Sequence, residues 1–187
     1  MLTLIVGQRS LLEKFLKNKI KNSRIISTKE FLNLELNSKT NLIINFFYPS
    51  EKIKNIESYK KFLDKSLIKL GSGIEKLNTK FINKIIYTSS SSIYGLNNQI
   101  KQIDYGNRKV YSASKLLAEN MIINFCSKKR ISYTIARVFN LYGPNENFSI
   151  ISKLYSAYRY KNLFTLNNKG SAIRDFISYE EVTEIYE

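Results

Sequence analysis

The chain has 187 residues, 43% of them hydrophobic, which fits a single domain large enough to bury a substantial core. Its net formal charge is +15, but most of the basic residues are lysines spread along the whole chain, so no nucleic acid partner is expected. The sequence lacks histidine, which excludes histidine-based triads and the usual zinc ligand sets, and no metal site is predicted.

The apolar pattern alternates between strand-like and helix-like segments. Strands are predicted at 2–6, 24–27, 42–47, 84–88 and 132–139, with shorter β-like pieces at 163–166 and 175–177. Helices are predicted at 10–19, 29–36, 112–129 and 150–160, and a longer helical stretch at 51–77 is interrupted or ended near residues 71–73. Continuous apolar strands separated by helices are typical of a parallel sheet covered on both faces, so the predicted fold class is α/β and doubly wound.

The most distinctive segment runs from Tyr87 to Gly95. Here a hydrophobic strand ends in five consecutive hydroxyl residues, Thr88 to Ser92. Ligands of a parallel sheet bind at the carboxyl ends of its strands, where such hydroxyls donate and accept hydrogen bonds. Taken alone, the same composition also fits a serine-rich loop.

A second segment opens the helix predicted at 112–129. Tyr111 and Lys115 stand four residues apart, which places them on one face of a helix. A free tyrosine has a pKa of about 10 and is a poor base near neutral pH, whereas a nearby ammonium group favours the phenolate. The pair is therefore a candidate for proton transfer, although an exposed tyrosine beside a solvated lysine has the same spacing.

Taken together, the two segments resemble the extended short-chain dehydrogenase/reductases, in particular the NAD-dependent epimerase/dehydratase family. The resemblance continues in Ala136 to Pro144 and in Arg174 to Val182, and the four segments follow the order of the family from about residue 84 to the end of the chain. It implies a Rossmann-like fold, NAD or NADP as cofactor, and a nucleotide-activated sugar as substrate.

The resemblance implies three catalytic residues. Tyr111 is the general acid/base, Lys115 lowers its pKa and hydrogen-bonds the nicotinamide ribose, and Ser90 holds the reacting hydroxyl or carbonyl of the sugar. The implied reaction is hydride transfer between a sugar carbon and the nicotinamide. Because Ser91 and Ser92 stand where dehydratases often carry an acidic pair, epimerase or reductase chemistry is expected.

The resemblance also implies binding residues. Ser91 lies beside the substrate, Phe139 lies near the nicotinamide, and Asn140 and Arg174 contact the sugar and phosphates of the substrate. A guanidinium suits this task because its fork fits phosphate oxygens. Without the resemblance, Asn140 would be read as a turn residue and Arg174 as part of a structural ion pair.

The amino-terminal turn departs from the family pattern. Three glycines normally let the backbone approach the cofactor's diphosphate, whereas here Gly7 is followed by Ser10 and Glu13 at the other two positions. Serine is small and can partly replace glycine at its position, but Glu13 brings a negative side chain toward the interface of helix and sheet or toward the phosphate. Arg9 is expected to offset that charge, and Gly7, Arg9 and Ser10 are the predicted cofactor contacts in this turn.

Three further departures follow the turn. The acidic residue expected at the adenosine ribose is replaced by Ser27, Thr28 and Lys29, which points toward a 2′-phosphate and hence NADP. The chain between predicted strands 24–27 and 42–47 has room for one short crossover, so the amino-terminal half of the sheet is compressed. Phe46 and the aromatic residues after it replace a small alanine-rich turn and are expected to narrow the cofactor pocket.

These observations divide the chain into a dinucleotide-binding domain, residues 1–145, and a partial, truncated substrate-binding region, residues 146–187. The expected function is that of an NAD(P)-dependent epimerase or reductase of a nucleotide-activated sugar in surface polysaccharide synthesis. The alternative is a degenerate member that binds a nucleotide without turnover or acts as a scaffold. A cytoplasmic location is expected from the single cysteine and the lack of a long apolar run. The helix after Tyr111 is a candidate homodimer face by resemblance.

Overall fold

The computed structural model of the protein describes residues 1–7, 10–46, 53–96 and 107–187. Two residues considered above, Arg9 and Phe47, lie outside the described residues. Within the described ranges the strands are β1 Leu2–Val6, β2 Ser23–Ile26, β3 Thr40–Ile44, β4 Ile82–Ser90, β5 Ser132–Val138, β6 Asn140–Tyr142 and β7 Phe176–Ser178. The helices are α1 Leu11–Lys19, α2 Thr28–Leu32, α3 Ile56–Leu63, α4 Lys69–Glu75, α5 Asn107–Lys129, α6 Ile150–Tyr160 and α7 Tyr179–Tyr186. A π-helical turn, Asp64–Ile68, joins α3 to α4.

Five strands form one parallel sheet in the order β2-β1-β3-β4-β5, and β6 pairs with β7 in a separate parallel ribbon. The chain runs outward from β1 to β2 and then crosses back to β3, so the order reverses between β1 and β3. Doubly wound sheets bind ligands in the crevice at such a switch point. The crossover from β2 to β3 contains only the short helix α2, which confirms the predicted compressed, Rossmann-like sheet.

Both faces of the sheet are covered. Leu42 and Ile44 of β3 pack in the layer that contains α2, α4 and α5, whereas Ile43 packs in the layer that contains α1 and α7. The ring of Tyr179, at the start of α7, stacks on Phe15 of α1 with 4.8 Å between ring centroids. Burial on both sides explains why the inner strands β1 and β3 are mainly apolar, whereas the edge strand β5 is partly exposed and carries polar residues.

The predicted bounds of the strand at 2–6 and of the helix at 150–160 are confirmed. The predicted break at 71–73 is wrong, because the helix continues through Gly71 and Gly73 to Glu75. Gly73 serves packing instead, since a Cβ there would overlap the ring of Phe31. The predicted β-like piece at 163–166 is also wrong, whereas β6 and α7 form without having been predicted. No helix of the described residues is both long and apolar enough to cross a membrane.

Candidate active site

The hydroxyl-rich segment forms the carboxyl end of β4 and the 3-10 turn Ser91–Leu96 that follows it. The backbone N–H of Ser92 donates to the hydroxyl of Ser90 at 3.2 Å. The hydroxyls of Ser89 and Ser92 are buried and have no hydrogen-bond partner in the part of the chain that the structure describes. Buried polar atoms are normally paired, so these two hydroxyls are suited to a bound polar group.

Lys115 projects from α5 to the carboxyl ends of two neighbouring strands. Its ammonium group donates to the carbonyl oxygens of Phe46, just after β3, and Thr88, in β4, both at 2.8 Å. The residue is only 4% exposed. Burial lowers the pKa of Lys115 to about 7, although the nearby carboxylate of Glu119 opposes the shift. The lysine therefore changes charge near neutral pH.

Two tyrosines flank this amine. The ring centre of Tyr111 lies 6.0 Å from Lys115 Nζ, and the hydroxyl of Tyr87 lies 3.4 Å from the same atom. Tyr87 is buried, and burial, together with the charges of Tyr111 and Glu119, raises its pKa well above the ordinary value. Tyr87 therefore remains a neutral phenol, whereas Tyr111 is half-buried and is the tyrosine that a ligand can reach.

The ring of Phe46, which was predicted to narrow the cofactor pocket, lies in the hydrophobic core instead. The ring is buried in the hydrophobic core and meets the ring of Phe31 edge-on, with 5.9 Å between the centroids. Only the backbone carbonyl of Phe46 takes part in the site, as the acceptor for Lys115. The aromatic side chain at this position fills the layer between the sheet and α2.

An ion pair that was not predicted from the sequence connects α5 to β5 next to the site. Arg137 of β5 forms a bidentate pair with Glu119 of α5, with N–O distances of 2.8 and 3.1 Å. The guanidinium lies 5.1 Å from the ring centre of Tyr94, which in turn stacks with Phe139 at 6.4 Å. Two signals point to this network: Glu119 lies one helical turn after Lys115, and Arg137 is a charge within an apolar strand.

Through the ribbon of β6 and β7, Asn140 contacts Asp175, the residue that follows Arg174. Asn140 is aligned with Phe176 in the strand pairing, and its side-chain amide donates to the carbonyl of Asp175 at 2.8 Å. Arg174 is exposed and donates to the carbonyl of Ile173. The two predicted substrate-binding residues thus share one exposed rim, next to the end of β5.

The segment that corresponds to the family's glycine-rich turn begins at Gly7, at the switch point between β1 and β3. Gly7 has a φ of +148°, a region that favours glycine. Ser10 caps α1 and forms a capping box with Glu13, whose carboxylate accepts from the Ser10 N–H at 3.2 Å. The Asn45 amide donates to Glu13 Oε1 at 2.7 Å and to the Ser10 hydroxyl at 2.9 Å. Glu13 is 2% exposed, so its carboxylate is part of the interior.

The two halves of a dinucleotide site are therefore unequal in this chain. At the carboxyl end of β4, the hydroxyls of Ser89 and Ser92, which are unpaired among the described residues, suit a bound polar group. The three N–H groups of Lys115 are already donated to Phe46, Thr88 and Tyr87, so the structure does not show the predicted hydrogen-bond donor to a nicotinamide ribose free at this amine. At the head of α1, where a diphosphate binds in such folds, the Glu13 carboxylate lies directly against Gly7. The residues at the head of α1, as they stand, do not fit a diphosphate.

Comparison with known proteins agrees with the fold. The model of the NAD dependent epimerase/dehydratase family matches residues 7–186, which is nearly the whole chain. The protein therefore belongs to the NAD-dependent epimerase/dehydratase family. The match includes the turn at Gly7, the hydroxyl-rich end of β4 and the pair Tyr111 and Lys115.

Relatives extend beyond the length of this chain. A dTDP-D-glucose 4,6-dehydratase from Dictyostelium discoideum is 22% identical over 191 residues, which cover 93% of this chain and 42% of the relative. A UDP-glucose 4-epimerase from Thermotoga maritima, solved with UDP-glucose, has a TM-score of 0.74 at 16% identity, covering 98% of this chain and 71% of that one. A UDP-glucuronic acid 4-epimerase from Bacillus cereus, solved with UDP-glucuronic acid and NAD, has a TM-score of 0.66 at 17% identity, with coverage of 98% and 71%. At these identities the structural likeness establishes the fold.

Proposed function

We propose that this chain carries the catalytic core of an NAD-dependent epimerase or reductase that acts on a nucleotide-activated sugar. The observation that supports the proposal is the Lys115 ammonium, buried between two strand-end carbonyls and 6.0 Å from the ring centre of Tyr111. An amine is costly to bury, and a purely structural position would accept an apolar side chain. Strongly perturbed titratable groups in a crevice are typical of functional sites.

In this proposal, Tyr111 accepts and returns the proton of a sugar hydroxyl. Lys115 favours the phenolate form of Tyr111 when its amine is protonated, which it is below its pKa of about 7, and Ser90 orients the reacting oxygen of the sugar. The buried hydroxyls of Ser89 and Ser92 offer further hydrogen bonds to the bound ligand. When bound, NAD supplies a nicotinamide that takes up a hydride from the sugar. A positioned acid/base of this kind contributes about 10²–10⁴-fold to a rate.

The head of α2 favours NAD over NADP. Glu30 accepts hydrogen bonds from the Ser27 N–H at 2.7 Å and from the Ser27 hydroxyl at 2.8 Å, directly after β2. The Ser27 hydroxyl, one of the groups expected to receive a 2′-phosphate, is thus paired with a carboxylate. A carboxylate at this position suits a ribose hydroxyl, and it partly offsets the charges of Arg24 and Lys29, which line the same pocket and would attract a 2′-phosphate. We therefore include NAD, rather than NADP, in the proposal.

The substrate class rests on the exposed rim and on the relatives. Arg174 and Asn140 offer a guanidinium and an amide at the carboxyl side of the sheet, which suit a diphosphate and a sugar. The relatives named above are enzymes of UDP-sugars and a dTDP-sugar. We propose a nucleotide sugar of this kind as substrate, and the synthesis of a polysaccharide as the context.

The test is a conversion assay on the full chain. The protein is incubated with NAD and, separately, with UDP-glucose, UDP-glucuronic acid and dTDP-glucose, and the sugars are followed by proton NMR. We expect NAD-dependent conversion of at least one sugar, and its loss in Tyr111→Phe. Binding of these sugars without any conversion would contradict the proposal.

A second candidate function is nucleotide binding without turnover. It is favoured by one observation, the buried carboxylate of Glu13 at the position of the cofactor's diphosphate. Under this alternative the sugars bind with equal affinity to the wild-type protein and to Tyr111→Phe, and neither converts them. The same assay therefore separates the two functions.

A further inference from the structure

Glu13 occupies the third position of the glycine-rich turn, and its carboxylate is folded back onto the start of its own helix. Side chains of a helix tilt toward its amino terminus, so a glutamate in the first turn reaches the end of the helix. Here the carboxylate reaches Gly7 so closely that a Cβ on Gly7 would overlap it. The carboxylate therefore fills the space that the missing side chain of Gly7 leaves open.

Among the described residues, Ser10 and Asn45 direct hydrogen bonds to Glu13. The Ser10 N–H donates to Glu13 Oε2 at 3.2 Å, and the Asn45 amide donates to Glu13 Oε1 at 2.7 Å. The Ser10 hydroxyl oxygen accepts hydrogen bonds from the Glu13 N–H at 3.4 Å and from the Asn45 amide at 2.9 Å. These donors stand at the carboxyl ends of β1 and β3 and at the head of α1, the place at which a doubly wound sheet binds a diphosphate.

The Glu13 carboxylate is thus an anion that already occupies the position at which a diphosphate would bind. The amino terminus of a helix carries a partial positive charge that attracts a carboxylate or a phosphate. Because the Glu13 carboxylate is 2% exposed, a diphosphate cannot bind beside it from solvent and has to replace it. Replacement breaks the hydrogen bonds of Ser10 and Asn45 to Glu13 before new ones form.

We infer that Glu13 is an internal occupant of the cofactor's diphosphate position and that its displacement sets the affinity of this chain for dinucleotides. The inference rests on the proposed function, because it takes the natural ligand to be a dinucleotide. It deepens that function by naming the residue that weakens cofactor binding. It also predicts that removal of one side chain strengthens the binding of a ligand that carries a diphosphate.

The experiment measures the affinity for ADP by calorimetry, with NAD measured in parallel. ADP contains the diphosphate but no nicotinamide, so its binding is independent of Tyr111 and Lys115. The variants are Glu13→Ala, which removes the carboxylate without placing glycine in a helix, and Glu13→Gln, which removes only the charge. The matched control is Glu181→Ala, since Ser178 and Glu181 form the same capping box at the exposed head of α7.

We expect Glu13→Ala to bind ADP and NAD at least tenfold more tightly than the wild-type protein. Glu13→Gln should show a smaller gain, because the amide still fills the space, and Glu181→Ala should match the wild type. Equal or weaker ADP binding by the Glu13 variants overturns the inference. If Glu13→Ala does not fold, Glu13→Gln decides: a gain supports the inference and no gain overturns it.

The outcome is separable from that of the conversion assay. A gain in ADP affinity without sugar conversion keeps the inference and overturns the proposed enzyme activity. Conversion that depends on Tyr111, together with unchanged ADP affinity, keeps the activity and overturns the inference.

Discussion

Lys115 Nζ lies 6.0 Å from the ring centre of Tyr111, on the same face of α5 and one helical turn further along the chain. Carbonyl oxygens from the ends of two neighbouring strands hold the amine in this position. A charged amine so close to a half-buried phenol favours the ionised phenol, which is the form that accepts a proton. The catalytic proposal follows from this relationship, and so does a pH dependence of stability.

The free energy of unfolding should rise with pH above neutrality because of Lys115. Burial lowers the pKa of this lysine in the folded protein to about 7. In the unfolded chain the pKa is about 10.4, so between these values the unfolded chain binds more protons and the folded state gains stability as the pH rises. The full slope is about 1.4 kcal/mol per pH unit.

Urea unfolding of the wild-type protein and of Lys115→Met at about pH 7.5 and about pH 8.5 measures this slope. We expect the wild type to gain about 1 kcal/mol more than the variant over this interval. Burial raises the pKa of the Cys126 thiol to about 11, so this cysteine also contributes to the slope once the unfolded chain ionises, but it is present in both proteins and its contribution cancels in the comparison. Equal slopes in the two proteins would show that folding does not lower the pKa of Lys115.

The pair of Glu119 and Arg137 predicts an asymmetry between two single substitutions. The Glu119 side chain is 2% exposed, whereas that of Arg137 is 35% exposed. Arg137→Met leaves a buried carboxylate without its partner, which costs about 3–5 kcal/mol. Glu119→Met leaves a guanidinium that water can still reach, so its cost should be smaller by at least about 1 kcal/mol. Urea unfolding at neutral pH tests the order, and a larger loss in Glu119→Met would contradict it.

Two glycines in α4 predict opposite effects of the same substitution. A Cβ at Gly73 would overlap the ring of Phe31, which is fixed in the core, so Gly73→Ala should lose about 1–3 kcal/mol of stability. A Cβ at Gly71 would come within 2.8 Å of the terminal methyl of Met121, a flexible side chain that can move away. Gly71→Ala should therefore be neutral or gain up to about 1 kcal/mol from its better helix propensity. Thermal unfolding of both variants is the measurement, and similar melting temperatures would refute the packing role of Gly73.

Much of the sheet and the neighbouring positions of Tyr111 and Lys115 could be predicted from the sequence because their signals are local. β1 to β5 are short apolar runs between turn residues, and the spacing of Tyr111 and Lys115 by itself places both on one helix face. The fold follows because such strands need cover on both faces. The roles of Ser90, Ser91, Phe139, Asn140 and Arg174 remain predictions, although the structure brings Asn140 into contact with Asp175, the residue that follows Arg174.

What the sequence could not reveal depends on contacts between distant residues. Glu13 departs from the family pattern in the sequence, but one of its side-chain partners, Asn45, is 32 residues away and carries no local signal. Gly73 looked like a helix breaker because propensity disfavours glycine, yet the approach of Phe31 outweighs propensity. Helix α7 is different, because the capping box of Ser178 and Glu181 is a local signal from which its start was predictable, and only its packing on Phe15 depends on a distant residue.

The most direct test of the account compares the rates of NAD-dependent conversion of UDP-glucose, UDP-glucuronic acid and dTDP-glucose by three proteins: wild type, Tyr111→Phe and Tyr133→Phe. Tyr133 is an exposed tyrosine at the opposite, amino-terminal end of β5 and serves as the matched control. The account predicts a loss of about 10²–10⁴-fold in Tyr111→Phe, unchanged sugar binding by calorimetry, and a wild-type rate in Tyr133→Phe. Equal rates in the wild type and Tyr111→Phe, or no conversion of any of the three sugars, would contradict it.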